Sequence, residues 1–192
     1  LPVEKWPAAL NARLPKSISV REAREMPLSF HPRREARSKV YRYLIWNHPS
    51  PSPFLWRYSW HLPQPLDLEA MRRAAGLLPG RRDFSAFRAL GSSPTSPVRH
   101  LLRAEVEREG FLLSVVLEAD GFLYRMARLM VGTLVRVGEG KLEPPAVQKI
   151  LEQAPGYRSG PAAPARGLFL ERVFLPGDAQ AWPSASFFRL FS

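Results

Sequence analysis

Cysteine is absent from all 192 residues. That excludes a disulfide framework and thiolate metal sites, and it fits a cytoplasmic protein. Histidine is sparse: His31, His48, His61 and His100 are scattered, with no pair at helical spacing, so no metal site is expected. Aspartate is no commoner. Asp67 and Asp83 read as helix N-caps, and Asp120 and Asp178 as turn residues. No apolar run approaches the length needed to span a membrane. The opening LPVEKWPAAL has no apolar core of the kind a secretory signal carries. It also lacks an initiator methionine and reads as the interior of a longer protein. There is no phosphate-binding loop, dinucleotide fingerprint or Ser/His/Asp arrangement, and no solenoid repeat.

What is abundant is positive charge. The 28 Lys and Arg outnumber the 17 Asp and Glu, giving a net charge of +11. Such an excess favours a polyanionic partner, nucleic acid before an anionic membrane surface. An Arg-rich surface without a binding role is the plainer alternative. Hydrophobic residues make up 45% of the chain, enough for a core. The 20 prolines gather in connections, at Pro49–Pro53, Pro63–Pro65, Pro94–Pro97 and Pro155–Pro164.

Between these loops lie periodic segments. Lys39 to Asn47 (KVYRYLIWN) is β-branched and aromatic and reads as a strand. Asp67 to Leu78 reads as a helix capped by Asp67. His100 to Arg108 alternates, with Leu102, Ala104 and Val106 on one face. Phe111 to Ala119 alternates with Leu113, Val115 and Leu117 together, and Glu109-Gly110 makes a hairpin turn between the two. Phe122 to Val137 is the strongest helix, with Phe122, Met126, Met130, Leu134 and Val137 at helical spacing. Pro144-Pro145 opens another helix to about Gln153. Gly167 to Leu175 is a closing strand. Hairpins mixed with separate helices predict an α+β fold with a mainly antiparallel sheet.

Two stretches could carry chemistry. In FHPRREARSKVYRYLIW (Phe30 to Trp46), Arg33, Arg34, Arg37, Lys39 and Arg42 accompany Tyr41, Tyr43 and Trp46. Guanidinium groups grip phosphates, and aromatic faces stack on unpaired bases. The same pattern also describes a strand with core tyrosines and a solvated arginine edge; either way Tyr41 and Tyr43 share a face opposite Arg42. In FLYRMARLMVG, Arg125 and Arg128 interrupt an apolar helix. Arg128 lies deep in that stretch, where an arginine is costly unless it meets a carboxylate or phosphate, or snorkels at the flank. The residues alone describe a basic, aromatic-bearing domain without a convincing catalytic set.

Five segments, in order, resemble the TruA-type tRNA pseudouridine synthases: LNARLPKSISV (10–20), SFHPRREARSKVYRYLI (29–45), LLPGRRDFSAFRA (77–89), DGFLYRMARLMVGTLVRVGEGK (120–141) and APARGLFLERVFLP (163–176). The resemblance implies a pseudouridine-synthase fold: a mainly antiparallel mixed sheet with flanking helices around a central basic cleft. It implies isomerisation of uridine to pseudouridine in the tRNA anticodon stem-loop, with no cofactor or metal, by a homodimer. Tyr41 matches the tyrosine that packs on the target base and assists deprotonation at the new carbon link. Arg128 matches the arginine that pairs with the catalytic Asp, and Leu168 the apolar residue lining the base pocket. Phe30 and Arg33 match positions near the flipped nucleotide. Arg34, Arg37, Lys39 and Arg125 are the expected RNA contacts.

The sequence departs from that family in three places. The nucleophile's Arg-Thr-Asp-Ala-Gly-Val-His motif is not in it, and GRRDFSAF matches a later helix start, so Asp83 is not its substitute. Pro32 stands where the family has Ala. The family's first half is mostly missing, so residues 1–20 are read as its remnant, 21–176 as the C-terminal synthase domain, and 177–192 as a tail whose FFRLF packs. The chain is then a partial synthase, a non-catalytic tRNA binder derived from one, or, from a different class, a structural RNA-binding protein of ribosome or tRNA biogenesis.

Overall fold

The computed structural model describes residues 1–89, 91 and 96–178. The chain divides into two compact units, Leu1–Glu35 and a larger one from Ala36 onward. In the first, a helical turn leads into α1 (Trp6–Asn11). Asn11 closes the loop after it: its amide donates to the Val20 carbonyl and its carbonyl accepts from the Val20 N–H, both at 2.7 Å. Further on, a turn at His31 is held by the His31 N–H donating to the Glu35 carboxylate at 2.7 Å. Most side chains of this unit are exposed.

The larger unit is a six-stranded sheet with helices on one face. Its strands are β1 (Ser38–Trp46), β2 (Trp60–His61), β3 (Gly80–Asp83), β4 (Val98–Glu109), β5 (Leu112–Ala119) and β6 (Leu168–Phe174). The order is β2-β1-β5-β4-β3, and β6 also pairs with β1. All pairings are antiparallel except the short β1–β2 contact. The α+β expectation of a mainly antiparallel mixed sheet holds.

The helices are α2 (Leu68–Gly76), α3 (Met126–Gly138) and α4 (Ala146–Leu151). Asp67 caps α2, its carboxylate accepting from the Ala70 N–H at 2.9 Å. Met71, Ala74 and Ala75 of α2, Met130, Val131 and Leu134 of α3, and Val147 and Ile150 of α4 pack on Tyr43, Ile45, Leu113, Val115 and Leu117 of the sheet.

Three expectations shift. Leu102 does not join the core: it is 45% exposed, and Leu101 is buried in its place. A register shift between Leu101 and Arg103 adds a residue there, which turns the alternation over. Helix α3 begins four residues later than its periodicity suggests, because Arg125 adopts a left-handed φ of 60°. Asp83 caps no helix; its carboxylate accepts from the Ser85 N–H at 2.7 Å, in a turn that ends strand β3. The FFRLF segment lies outside the described residues.

The face of the sheet away from the helices carries a charged centre. Arg42 has no exposed surface. Its guanidinium donates to Glu107 of β4 at 2.7 Å, to Ser114 of β5 at 2.8 Å, and through Nε and Nη2 to Glu171 of β6 at 3.0 and 3.4 Å. The Ser114 hydroxyl donates to Glu107 as well, at 3.2 Å. Arg42 is therefore neither a phosphate contact nor a solvated strand edge. It is a cation stapling four strands, and its planar fork suits two carboxylates at once.

Replacing Arg42 by Met removes the cation that Glu107 and Glu171 share. We expect Arg42→Met to cost about 3–5 kcal/mol of unfolding free energy, and Arg42→Met/Glu107→Gln/Glu171→Leu to recover most of it. Urea unfolding of both variants checks this.

Candidate functional site

A small open cleft of about 70 Å³ lies where β1, β6 and the start of α3 meet. Tyr41, Phe122, Leu123, Arg125, Met126, Ala127, Arg128 and Leu168 line it. Three of these, Tyr41, Arg128 and Leu168, come from segments far apart in the chain and were singled out from sequence; the fold brings them together.

Alternation along β1 places Tyr41 and Tyr43 on the helix-bearing face. Their surroundings differ. Tyr43 is 1% exposed and its hydroxyl donates to the Pro164 carbonyl at 2.7 Å. Burial pushes its phenol well above the ordinary tyrosine range, although Arg128 and Arg166 pull the other way. It is a neutral structural tyrosine. Tyr41 is half-buried, its ring edge-on to Phe122 at 4.9 Å and 89°. Among the described residues its hydroxyl has no hydrogen-bond partner, so it is available to a ligand.

Leu168 reaches the cleft because β6 pairs antiparallel with β1, with Leu170 opposite Tyr41 and Leu168 opposite Tyr43. The preceding Gly167 must be bare: a Cβ there would stand 2.7 Å from the Tyr43 ring and 2.8 Å from the Leu44 carbonyl oxygen.

Arg128 is half-buried rather than sunk in the core. Its Nε donates to the Ala163 carbonyl at 2.5 Å, while its own carbonyl accepts from the Ala163 N–H at 3.0 Å. That clasp exists because α3 lies backbone against backbone on the 160–163 segment. A Cβ on Gly132 would fall 1.8 Å from the Pro161 carbonyl oxygen, and Thr133 Oγ1 accepts from the Gly160 N–H at 2.8 Å. Among the described residues Arg128 meets no carboxylate, and none lines the cleft. Two arginines and the N-terminus of a thirteen-residue helix make it electropositive. It can hold an anion beside a flat, partly apolar group.

The other expected residues are more dispersed. Lys39 shares the strand face of Tyr41 and is half-buried. Arg37 is exposed and lines a separate cleft of about 290 Å³ with Ser38, Leu102, Glu118 and Phe174. Phe30, Arg33 and Arg34 belong to the first unit; Arg33 and Arg34 are exposed in the turn that Pro32 opens. Asp120 and Asp178 serve turns, accepting from the His100 and Leu175 N–H groups. Among the described residues no cluster of His, Asp or Glu could hold a metal. No helix among them is long and apolar enough to cross a membrane. Phe122, Leu123 and Met126 were missed as cleft residues. The spacing of Phe122 and Met126 was read as one face of a helix; the chain instead turns at Arg125, and Phe122, Leu123 and Arg125 line the cleft.

Comparison with known proteins gives a consistent result. Residues 74–176 match a family model described as tRNA pseudouridine synthase. The chain is 50% identical over 177 residues to tRNA pseudouridine synthase A of Moorella thermoacetica, covering 90% of this chain and 70% of that protein. It is 41% identical over 174 residues to the protein of the same name from Acetivibrio thermocellus, covering 91% and 71%. With that of Syntrophotalea carbinolica it shares 43% over 179 residues, covering 93% and 71%.

Tyr43 generates a prediction about pH. A phenol whose folded pKa lies above its unfolded value of about 10 contributes stability that is complete below pH 10. It is lost as pH rises beyond that, because the unfolded chain releases the proton first. Tyr43→Phe should lose about 1 kcal/mol at neutral pH, from the bond to Pro164. Its stability should then fall less steeply than the parent's above pH 10, as denaturant midpoints across that range will show.

Proposed function

This chain belongs to the tRNA pseudouridine synthase family, and from that membership we infer that the cleft of Tyr41, Arg128 and Leu168 holds a tRNA uridine during its isomerisation to pseudouridine. The observation that supports this most is the meeting of those three side chains in one electropositive cleft. Leu168 and Phe122 bound the uracil with apolar surface. Tyr41 packs on it, and its unengaged hydroxyl assists removal of the proton from the new carbon–carbon link. The base must leave its stack to enter, which an unpaired loop permits at least cost.

The reaction needs a nucleophile to open the base–sugar bond. None of Asp67, Asp83, Asp120 and Asp178 lines the cleft. The nucleophilic aspartate in this reading comes from an Arg-Thr-Asp segment outside these 192 residues. Arg128 receives it: the guanidinium is anchored at Nε, and its two terminal nitrogens make no hydrogen bond among the described residues. No cofactor or metal enters. The substrate is the anticodon stem-loop of tRNA in the cytoplasm, the working form is a homodimer, Phe30 and Arg33 act near the flipped nucleotide, and Arg34, Arg37, Lys39 and Arg125 contact the RNA. Among the described residues no carboxylate lines the cleft, which also favours a second reading, in which the chain binds tRNA without acting on it.

The two readings separate by assay. With the Arg-Thr-Asp segment of a relative supplied upstream, the protein should form pseudouridine in an anticodon stem-loop. The chain alone should bind the RNA and form none. In the active protein Tyr41→Phe should lower turnover roughly 10²–10⁴-fold with affinity little changed. A change confined to affinity would remove Tyr41 from the chemistry. No turnover in the extended protein, with binding intact, would favour the non-catalytic reading. Affinity should also fall steeply with salt, by a log–log slope of about −0.7 per phosphate contact.

A further inference from the structure

The turn between β5 and α3 contains a feature that the cleft does not use. Phe122, Leu123 and Arg125 line the cleft, but Tyr124 between them does not. It is 48% exposed. The Arg125 guanidinium lies over its ring at 5.1 Å from the centroid. An exposed tyrosine backed by a cation, at the rim of an electropositive cleft, has the makings of a surface for a nucleobase.

The backbone beneath this pair is held in place, at a cost. Arg125 has φ 60°, a left-handed conformation that an ordinary side chain adopts reluctantly. Glycine would make the same turn without strain, but it would supply no guanidinium. Four contacts hold the turn. The Tyr124 carbonyl accepts from the Ala89 N–H at 3.1 Å, and the Arg125 carbonyl from the Leu129 N–H at 3.0 Å. The Met126 N–H donates to the Leu123 carbonyl at 3.0 Å, and the Leu123 N–H to the Met126 sulfur at 3.4 Å. Strain that is over-determined in this way marks ligand-holding positions. A backbone already fixed also has less freedom to lose when a ligand binds beside it. Positive charge continues nearby: the Arg99 side chain runs beside Gly121, 3.3 Å from where a Cβ would stand.

Among the described residues, the other exposed aromatics of the larger unit, Phe54, Trp56, Tyr58, Phe111 and Tyr157, lie in segments that contribute no residue to the cleft, although Trp56 and Tyr157 also have a cation over the ring. Phe54, Trp56 and Tyr58 crowd one loop, and Tyr58 lies 6.5 Å from Phe169. Phe169 is opposite Arg42 in register and so faces away from the cleft.

We propose that Tyr124, stacked on Arg125, is a platform for an unpaired nucleobase adjacent in the RNA to the uridine in the cleft. It rests on the reading of the cleft given above. The platform reads no base edge, so it selects for unpaired structure beside the target rather than for one flanking base.

The test is fluorescence anisotropy on the chain as it stands, with two end-labelled RNAs: an anticodon-type stem-loop, and a fully paired duplex of the same stem. The parent should prefer the stem-loop. Tyr124→Ala and Tyr124→Leu should each lose stem-loop affinity roughly ten-fold, the scale of one stacked base, with duplex affinity unchanged. Tyr124→Phe should keep the parent's preference, since the ring and not the hydroxyl does the stacking. Thermal unfolding midpoints should match for all four proteins, because Tyr124 is largely outside the core. Stem-loop affinity unchanged in Tyr124→Ala, or retained by Tyr124→Leu, would overturn the platform while leaving the cleft reading intact. So would an equal loss on both RNAs. A parent that binds the stem-loop no better than the duplex would overturn the platform and the cleft reading together.

Discussion

The charge of Arg42 is the constraint on which this sheet depends. A guanidinium with no exposed surface is tolerable only if its donors are met, and Glu107, Ser114 and Glu171 meet them from three strands. Strand β1 is thereby tied at one point to β5 and β6 and, across β5, to β4. The link to β6 bears directly on the cleft. Glu171 sits at the register shift between β1 and β6, where Leu170 pairs with Tyr41 and Arg172 with Val40. The charge on one face therefore helps to set the position of Leu168 and Tyr41 on the other. A hydrophobic contact has no direction and could not index two strands in this way.

The same economy separates two tyrosines that differ little in sequence. Tyr41 and Tyr43 share a strand and a face, but Tyr43 falls under the segment ending at Pro164 and Tyr41 packs against Phe122 beside the cleft. One hydroxyl is consumed by the fold and kept neutral. The other is left available. Arg128 is likewise half committed: Ala163 takes one donor and orients the rest. The electropositive cleft thus comes from backbone packing, with Gly132 allowing α3 to approach closely enough for the clasp to form.

Much of this could be read from the residues. The alternation of β1 and β5, the Asp67 cap and the meeting of Tyr41, Arg128 and Leu168 all follow from periodicity, capping chemistry or family resemblance. What was not legible has physical causes. A bulge carries no local sequence mark, so Leu102 was placed inside and Leu101 passed over. Strand β3 is GRRD, too polar and short to register by pattern, and it forms because β4 pairs with it. The parallel contact of β2 is two residues long and is likewise tertiary in origin. The periodicity of Phe122 with Met126 and Met130 is real, yet Arg125 breaks the helix between them by taking a conformation that propensity disfavours. Arg42 misled most, because burial of a cation is decided by carboxylates that stand 65 and 129 residues further along the chain.

That separation has a consequence for how the molecule forms. Strand β6 pairs with β1, and Tyr43 faces Leu168 across nearly the whole length of the unit. Contacts this distant in sequence are closed late and slowly. During synthesis β1 emerges well before β6, and the part of its edge that β6 fills, residues 38–43, waits without that partner until β6 leaves the ribosome, a state open to mispairing with other chains. The cleft, with walls on β1 and β6, cannot exist before that closure. Ligand binding at the cleft is therefore a report on completed folding, and a ligand that binds there favours the folded state by mass action.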